Sequence, residues 1–167
     1  MTRSSVATVA DVLVAFDRRT EEVLDAVLAD HPDVRRSLAE AWDAAWEVVD
    51  PVVLELCRIR VAMLLGCDGE LAERTPAAVA AGLDEKTVDQ LSRWTASPAF
   101  GPAARACLAF TEQWVVDVAG MDDTTVARVR EELGDQGLVD FASALLVVEQ
   151  RQRLRLEWAA LFGGRGD

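Results

Sequence analysis

The chain has 167 residues, which fits one domain of ordinary size and leaves no room for a second. Its 29 acidic residues outnumber its 17 Lys and Arg, and the formal net charge of −12 argues against a nucleic-acid-binding surface or docking on anionic lipid. No apolar stretch approaches the roughly 20 residues that cross a bilayer, and no signal peptide opens the chain, so we expect a cytoplasmic protein with no membrane partner.

The apolar residues recur at helical spacing in every long segment, and no segment alternates apolar and polar residues as a strand does. In chain order, the segments expected to be helical are Val9–Phe16, Thr20–Leu28, Asp33–Val48, Pro51–Leu65, Asp68–Ala81, Glu85–Trp94, Ala104–Val118, Asp123–Gly134 and Gln136–Leu161. Pro76 is expected to kink or break the short segment in which it lies. The prediction is one all-α domain over residues 1–167, with about eight helices and an N-terminal helical extension over residues 1–34. The apolar stretch Leu138–Val148 is expected to be central.

The residues that most often bind metals are few and widely spaced. The cysteines are Cys57, Cys67 and Cys107, an odd set that forms neither a disulfide framework nor a metal-ligand cluster. His31 is the single histidine, so a zinc site built from several His and Cys is excluded by counting. We therefore expect no metal and no cofactor.

Cys67 is the cysteine whose position has a chemical consequence. Gly66 should end the preceding helix, which places the thiol at the start of the next one, where the helix dipole favours thiolate, although Asp68 and Glu70 oppose this. Glu70 and Arg74 follow at i+3 and i+7 on the same predicted face. Their spacing suits an exposed ion pair, and the alternative is a polar pocket wall in which Arg74 receives a carboxylate or other anion.

A resemblance to a known family rests mainly on the segment ELCRIRVAMLLGCDGELAERTPAAVAAGLDEKTVDQL. It resembles the alkylhydroperoxidase-like (AhpD-like) branch of the carboxymuconolactone decarboxylase family, and FGPAARACLAFTEQW and LVDFASALLVVEQRQRLR extend the similarity over residues 35–156. The resemblance implies an all-α fold assembled as a homo-oligomer, a trimer or hexamer. A sedimentation mass near the 18.2 kDa of one chain would exclude that assembly.

The peroxidase members of the family use a Cys-x-x-Cys-x-x-x-His motif, with a Glu twelve residues before the first Cys. One thiol reacts with peroxide, the second closes a disulfide, and the Glu and His move protons. By resemblance, Glu55 and Cys67 match the Glu and the first Cys, whereas Glu70 and Arg74 stand at the positions of the second Cys and the His. Some members have a further His at the position of Gly69. The resemblance therefore implies a degenerate motif, because Glu70 cannot form a disulfide and a guanidinium cannot act as a base.

Three hypotheses follow for the function. The first is a family member without the dithiol relay that binds a small organic ligand, apolar or anionic, with Glu70 and Arg74 as ligand-binding residues. The second is a one-cysteine alkylhydroperoxidase or thiol-dependent reductase, in which Cys67 and Glu55 are catalytic. The third is a structural or partner subunit of a hetero-oligomer. Lactone decarboxylase chemistry is disfavoured, because those members keep a His near Arg74. Trp42 and Trp46 are core residues or else line a pocket or subunit contact.

Overall fold

The computed structural model describes residues 27–162, and within that range the chain is helical and forms no strand. Its α-helices are α1 (Pro32–Val48), α2 (Pro51–Leu65), α3 (Asp68–Leu71), α4 (Pro76–Ala80), α5 (Glu85–Val88), α6 (Pro102–Asp117) and α7 (Asp123–Phe162). Two 3₁₀ turns, Leu91–Arg93 and Val118–Gly120, precede and follow α6. The all-α prediction is confirmed. The two predicted N-terminal helices, Val9–Phe16 and Thr20–Leu28, lie almost wholly outside the described residues.

The ends of α2 are fixed by its flanking residues. The Asp50 carboxylate accepts hydrogen bonds from the backbone N–H groups of Val52 and Val53, at 2.9 and 3.0 Å, and Pro51 occupies the first turn. Gly66 ends the helix with φ 70°, a left-handed conformation that a side chain would disfavour. The predicted bounds of this helix are confirmed, and they place Cys67 at the start of α3.

Two later segments differ in part from prediction. The segment predicted over residues 68–81 is two short helices with a non-helical stretch between them, and the break predicted at Pro76 is confirmed, because Pro76 begins the second helix. The helix predicted over residues 85–94 is only α5 followed by a 3₁₀ turn. The long α7 contains a kink at Gly134, where φ is 77° and ψ is 175°, at the predicted junction of two helices.

The most enclosed helix is α2, which packs against α6, α7 and α1. Its apolar residues are buried on several faces, and they are Leu54, Leu56, Cys57, Ile59, Val61 and Ala62. The prediction that residues 138–148 are fully central was wrong in part, because Val139 and Leu146 of α7 are more than half exposed while Phe141 and Leu145 are buried. Among the described helices, none combines the length and apolar character needed to span a membrane.

Candidate functional site

The central helix α2 carries two charged side chains that are buried. Glu55 is 0% exposed and Arg58, one turn later, is 1% exposed. The Arg58 guanidinium donates from Nε to Oε2 of Glu55 at 3.0 Å and from Nη2 to Oε1 at 2.8 Å. This bidentate pairing is the geometry that best matches a guanidinium to a carboxylate, and it offsets part of the cost of removing both charges from water.

Glu70, from α3, binds the same guanidinium. Nη1 of Arg58 donates to Oε2 of Glu70 at 2.7 Å and to its backbone oxygen at 3.0 Å, and Nη2 donates to the backbone oxygen of Glu73 at 2.7 Å. Every N–H bond of the guanidinium therefore has an acceptor. Burial alone would lower the pKa of Arg58, but hydrogen bonds to Glu55 and Glu70 and their charges outweigh it and raise that pKa.

Arg155, from α7, completes what we call the ion network: Glu55, Arg58, Glu70 and Arg155. Its Nη1 donates to Oε1 of Glu70 at 3.1 Å. On the other side, the Glu55 carboxylate also accepts from Thr75, through the backbone N–H at 3.2 Å and the hydroxyl at 3.0 Å. Two carboxylates and two guanidiniums balance in charge, so the network joins α2, α3 and α7 without a net buried charge.

Gly69 leaves the space in which the Arg155 guanidinium lies. A Cβ added at residue 69 would clash with Nη2 of Arg155 and would lie only 2.6 Å from its Cζ. Some family members have a His at this position, so Arg155 occupies space that such a side chain would need.

Replacing Gly69 with alanine is expected to lower the free energy of unfolding by about 1–2 kcal/mol. The added methyl group displaces the Arg155 guanidinium and so weakens the hydrogen bond that it donates to the buried Glu70 carboxylate. Urea unfolding of wild type and variant measures the change. The control is the same substitution in an Arg155→Met background. In that background the added methyl group meets no guanidinium, so Gly69→Ala should no longer lower the free energy of unfolding. A decrease as large as in wild type would mean that the substitution acts through the backbone conformation and not through Arg155.

Cys67 lies at the start of α3 as predicted, and its thiol is enclosed by the surrounding chain. The residue is only 2% exposed. Burial raises the pKa of the Cys67 thiol, and the negative charge of Glu70 raises it further. The positive charge of Arg155 and a hydrogen bond from the Glu70 backbone act in the opposite direction and are weaker. The opposition expected from Asp68 and Glu70 is present, desolvation adds to it, and the reactivity of the thiol stays a prediction.

The other two cysteines belong to the core. Cys57 and Cys107 are both 0% exposed, and all three cysteines of the chain are free thiols. Burial raises the pKa of Cys57 to about 12, and burial together with the nearby Cys57 raises the pKa of Cys107 still more. The structure pairs no two of these thiols in a disulfide.

The exposed ion pair predicted between Glu70 and Arg74 was wrong. The helix α3 ends at Leu71, so the i, i+4 spacing does not place the two side chains on one helical face. Glu70 instead enters the ion network, while Arg74 makes a bidentate pair with Glu85, at 3.0 Å from Nε and 2.9 Å from Nη2. The side chain predicted to receive an anion is already paired with a carboxylate.

A cavity of about 870 Å³ opens beside the ion network, in the size range of pockets that hold small organic ligands. Its lining residues are Trp42, Asp43, Trp46, Glu47, Arg58, Glu70, Ala72, Glu73, Arg74, Thr75, Pro76, Ala77 and Arg151. The rings of Trp42 and Trp46 meet edge to face with centroids 5.4 Å apart. The Arg151 guanidinium lies over the Trp42 ring, 4.1 Å from its centroid. The cavity wall thus combines aromatic rings, carboxylates and guanidiniums, and it includes two members of the ion network.

The sequence profile of the carboxymuconolactone decarboxylase family matches residues 32–113, a range that contains α2, the start of α3 and the Glu55 and Cys67 positions. The chain belongs to this family. The fold is AhpD-like: the crystal structure of an Agrobacterium tumefaciens protein of unknown function, named as a candidate antioxidant defence protein AhpD, superposes with a TM-score of 0.67. The two share 18% identity over 84% of this chain and 95% of that one. No curated protein has significant sequence similarity to the chain.

Within this carboxymuconolactone decarboxylase scaffold, three of the four predicted site residues belong to the ion network, to the cavity wall or to both. Glu55 and Glu70 meet through Arg58, and Arg74 and Glu70 both line the cavity. Cys67 and Glu55 do not line it. Catalytic roles for Cys67 and Glu55, and ligand-binding roles for Glu70 and Arg74, stay predictions. Among residues 27–162, no three His, Cys, Asp or Glu side chains group as a metal site.

Arg58 and Arg155 are the network residues that sequence reasoning missed. The signal for Arg58 was present, because it lies three residues after a glutamate in a helix whose only other charged residue is Arg60, and buried charges are found paired. Arg155 lies 85 residues from Glu70, and nothing local in the sequence indicates their contact.

Proposed function

We propose that this family member carries out no dithiol peroxidase chemistry and binds a small organic ligand in the cavity beside the ion network. The observation that carries the proposal is the ion network itself. At the position of the family's second Cys stands Glu70, which is held by the buried guanidiniums of Arg58 and Arg155. Glu55, which matches the family's proton-moving Glu, accepts two hydrogen bonds from Arg58 and two from Thr75.

The state of Cys67 supports the absence of thiol chemistry. A thiol reacts with peroxide as thiolate, and a raised pKa leaves little thiolate at neutral pH. The residue is buried and is not part of the cavity wall. These facts weigh against the one-cysteine peroxidase alternative and against transferring to this chain the antioxidant role suggested by the name of the Agrobacterium protein.

The cavity supports ligand binding through its size and its composition. Binding sites for small molecules are concave, largely apolar and set with a few polar groups. Here Trp42 and Trp46 supply the apolar surface, and charged side chains surround them. No reaction follows from these residues, so the proposal is binding and not catalysis.

A screen of small organic fragments by ligand-observed NMR and thermal unfolding tests this proposal. We expect hits that raise the melting temperature of wild type and Cys67→Ser equally, because the thiol does not line the cavity. Ala72→Trp should abolish binding, since Ala72 lines the cavity and is exposed enough to accept a larger side chain. Ala160→Trp, exposed on α7 and absent from the wall, is the matched control.

Two outcomes would contradict the proposal. If no fragment binds, the cavity is not a ligand site, and the alternative of a structural or partner subunit gains support. If Cys67→Ser abolishes binding or a thiol-dependent turnover, the one-cysteine alternative returns. We also propose that the protein is homo-oligomeric, as the family resemblance implies, and cytoplasmic, as the sequence led us to expect.

A further inference from the structure

Glu70 is paired with guanidiniums, but three other carboxylates of the cavity wall carry charge that no described guanidinium neutralises. Asp43, Glu47 and Glu73 line the cavity, and within residues 27–162 their carboxylates form no ion pair and accept no hydrogen bond. The two exposed ones, Asp43 and Glu47, follow Trp42 and Trp46 directly along α1. The whole chain has a net charge of −12, so the long-range field adds to the local one.

The guanidiniums of the wall are already engaged. Arg58 donates all its N–H bonds to Glu55, to Glu70 and to the backbone oxygen of Glu73. Arg74 donates from Nε and Nη2 to the Glu85 carboxylate. Arg151 lies over the ring of Trp42. An anionic ligand would have to break one of these pairings and would meet the three carboxylates.

The indole rings offer what a cation needs. Arg151 over Trp42 shows that a cation already packs on one aromatic face of this wall. Aromatic faces flanked by carboxylates are a recognition surface for ammonium groups.

We propose that the ligand of the cavity is an organic cation, an ammonium or related group on an apolar or aromatic body. This inference rests on the proposed function and narrows it, since sequence reasoning expected an apolar or anionic ligand. The cation lies between the indole rings and the carboxylates of Asp43 and Glu47, and its apolar body fills the cavity beside Trp46.

Three probes of similar shape and different charge test the inference: benzyltrimethylammonium, benzyl alcohol and benzoate. Their binding is followed by tryptophan fluorescence and calorimetry at low salt. The ammonium should bind at least about tenfold more tightly than the alcohol or the carboxylate, and added salt should weaken it. Asp43→Asn combined with Glu47→Gln should cut the ammonium affinity about tenfold and leave the alcohol unchanged. Asp89→Asn with Glu157→Gln, two exposed acids outside the wall, removes the same charge and should change neither.

The outcomes separate this inference from the proposed function. If benzyl alcohol or benzoate binds more tightly than the ammonium, the inference that the ligand is a cation is wrong, and the proposal that the cavity binds a ligand still stands. Equal weakening by both double variants overturns it too, because the ammonium then responds only to net charge. If none of the probes and no fragment of the screen binds, the proposed function fails and the inference fails with it.

Discussion

Replacing Arg58 with methionine is expected to lower the free energy of unfolding by about 3–5 kcal/mol. The substitution keeps much of the side-chain volume but leaves Glu55 and Glu70 buried, at 0% and 2% exposure, without the guanidinium that both contact. It also removes one of the two donors to the backbone oxygen of Glu73, the other being Nη1 of Arg74. An uncompensated buried carboxylate costs more than the ion pair itself contributes, which is why the expected loss is large.

Urea unfolding measures this loss, and Arg36→Met is the matched control. Arg36 also pairs with an acid three residues away, Asp33 at 2.7 Å, but its side chain is 63% exposed, so its removal should have little effect. Adding Glu55→Gln to Arg58→Met should recover part of the loss, because the second substitution removes one of the stranded charges. Losses of similar size for Arg58→Met and Arg36→Met would mean that the ion network does not stabilise the fold.

Rebuilding the family motif is expected to produce an unstable protein without peroxidase turnover. Glu70→Cys with Arg74→His restores the spacing Cys-x-x-Cys-x-x-x-His from Cys67 onward. The same change removes the carboxylate that holds Arg58 and Arg155, so we expect the free energy of unfolding to fall by about 3 kcal/mol. Arg58 would still occupy the Glu55 carboxylate, which is then not available to move a proton.

Thiol-dependent consumption of an alkyl hydroperoxide, measured beside the unfolding curve, checks this expectation. Arg74→His alone is the control, because Arg74 lies outside the ion network and its loss frees the exposed Glu85 carboxylate and removes a donor to the backbone oxygens of Leu71 and Glu73. Turnover by the double variant well above wild type and Arg74→His would show that the missing motif residues are the only defect, and that the Glu55–Arg58 pair is no obstacle.

The fold could be predicted largely because its boundaries depend on local chemistry. Asp50 and Pro51 begin α2, and Gly66 ends it in a left-handed conformation. Gly134 interrupts α7. In each case the conformational preference of the residue at the boundary decides where the helix begins or ends. The stretch from 68 to 94 was less well predicted, since its short helices depend on packing against α2 more than on their own propensity.

The sequence predicted which residues belong to the candidate site, but not how they interact. Glu55, Cys67 and Glu70 were identified through the family motif, but their state depends on Arg58 and Arg155, and the second of these arrives from α7. Glu70 and Arg74 were expected on one face because helical spacing was extended past Leu71, where α3 ends. The helix start at Cys67 and the opposing charges of Asp68 and Glu70 could be predicted from the sequence, but the extent of burial, which does most to raise the pKa of the thiol, depends on the three-dimensional fold.

The most direct test of a scaffold without working thiol chemistry is the reactivity of Cys67 in the folded protein. Hydrogen peroxide and a maleimide are applied from pH 5 to 9, modification is read by intact mass, and Cys67→Ser is the control. Because the pKa of Cys67 is raised, we expect almost no modification at neutral pH and a rise only at the alkaline end, whereas urea should expose all three thiols. A fast reaction lost in Cys67→Ser, with a midpoint well below the free-thiol value of about 8.5, would contradict it and restore the one-cysteine peroxidase.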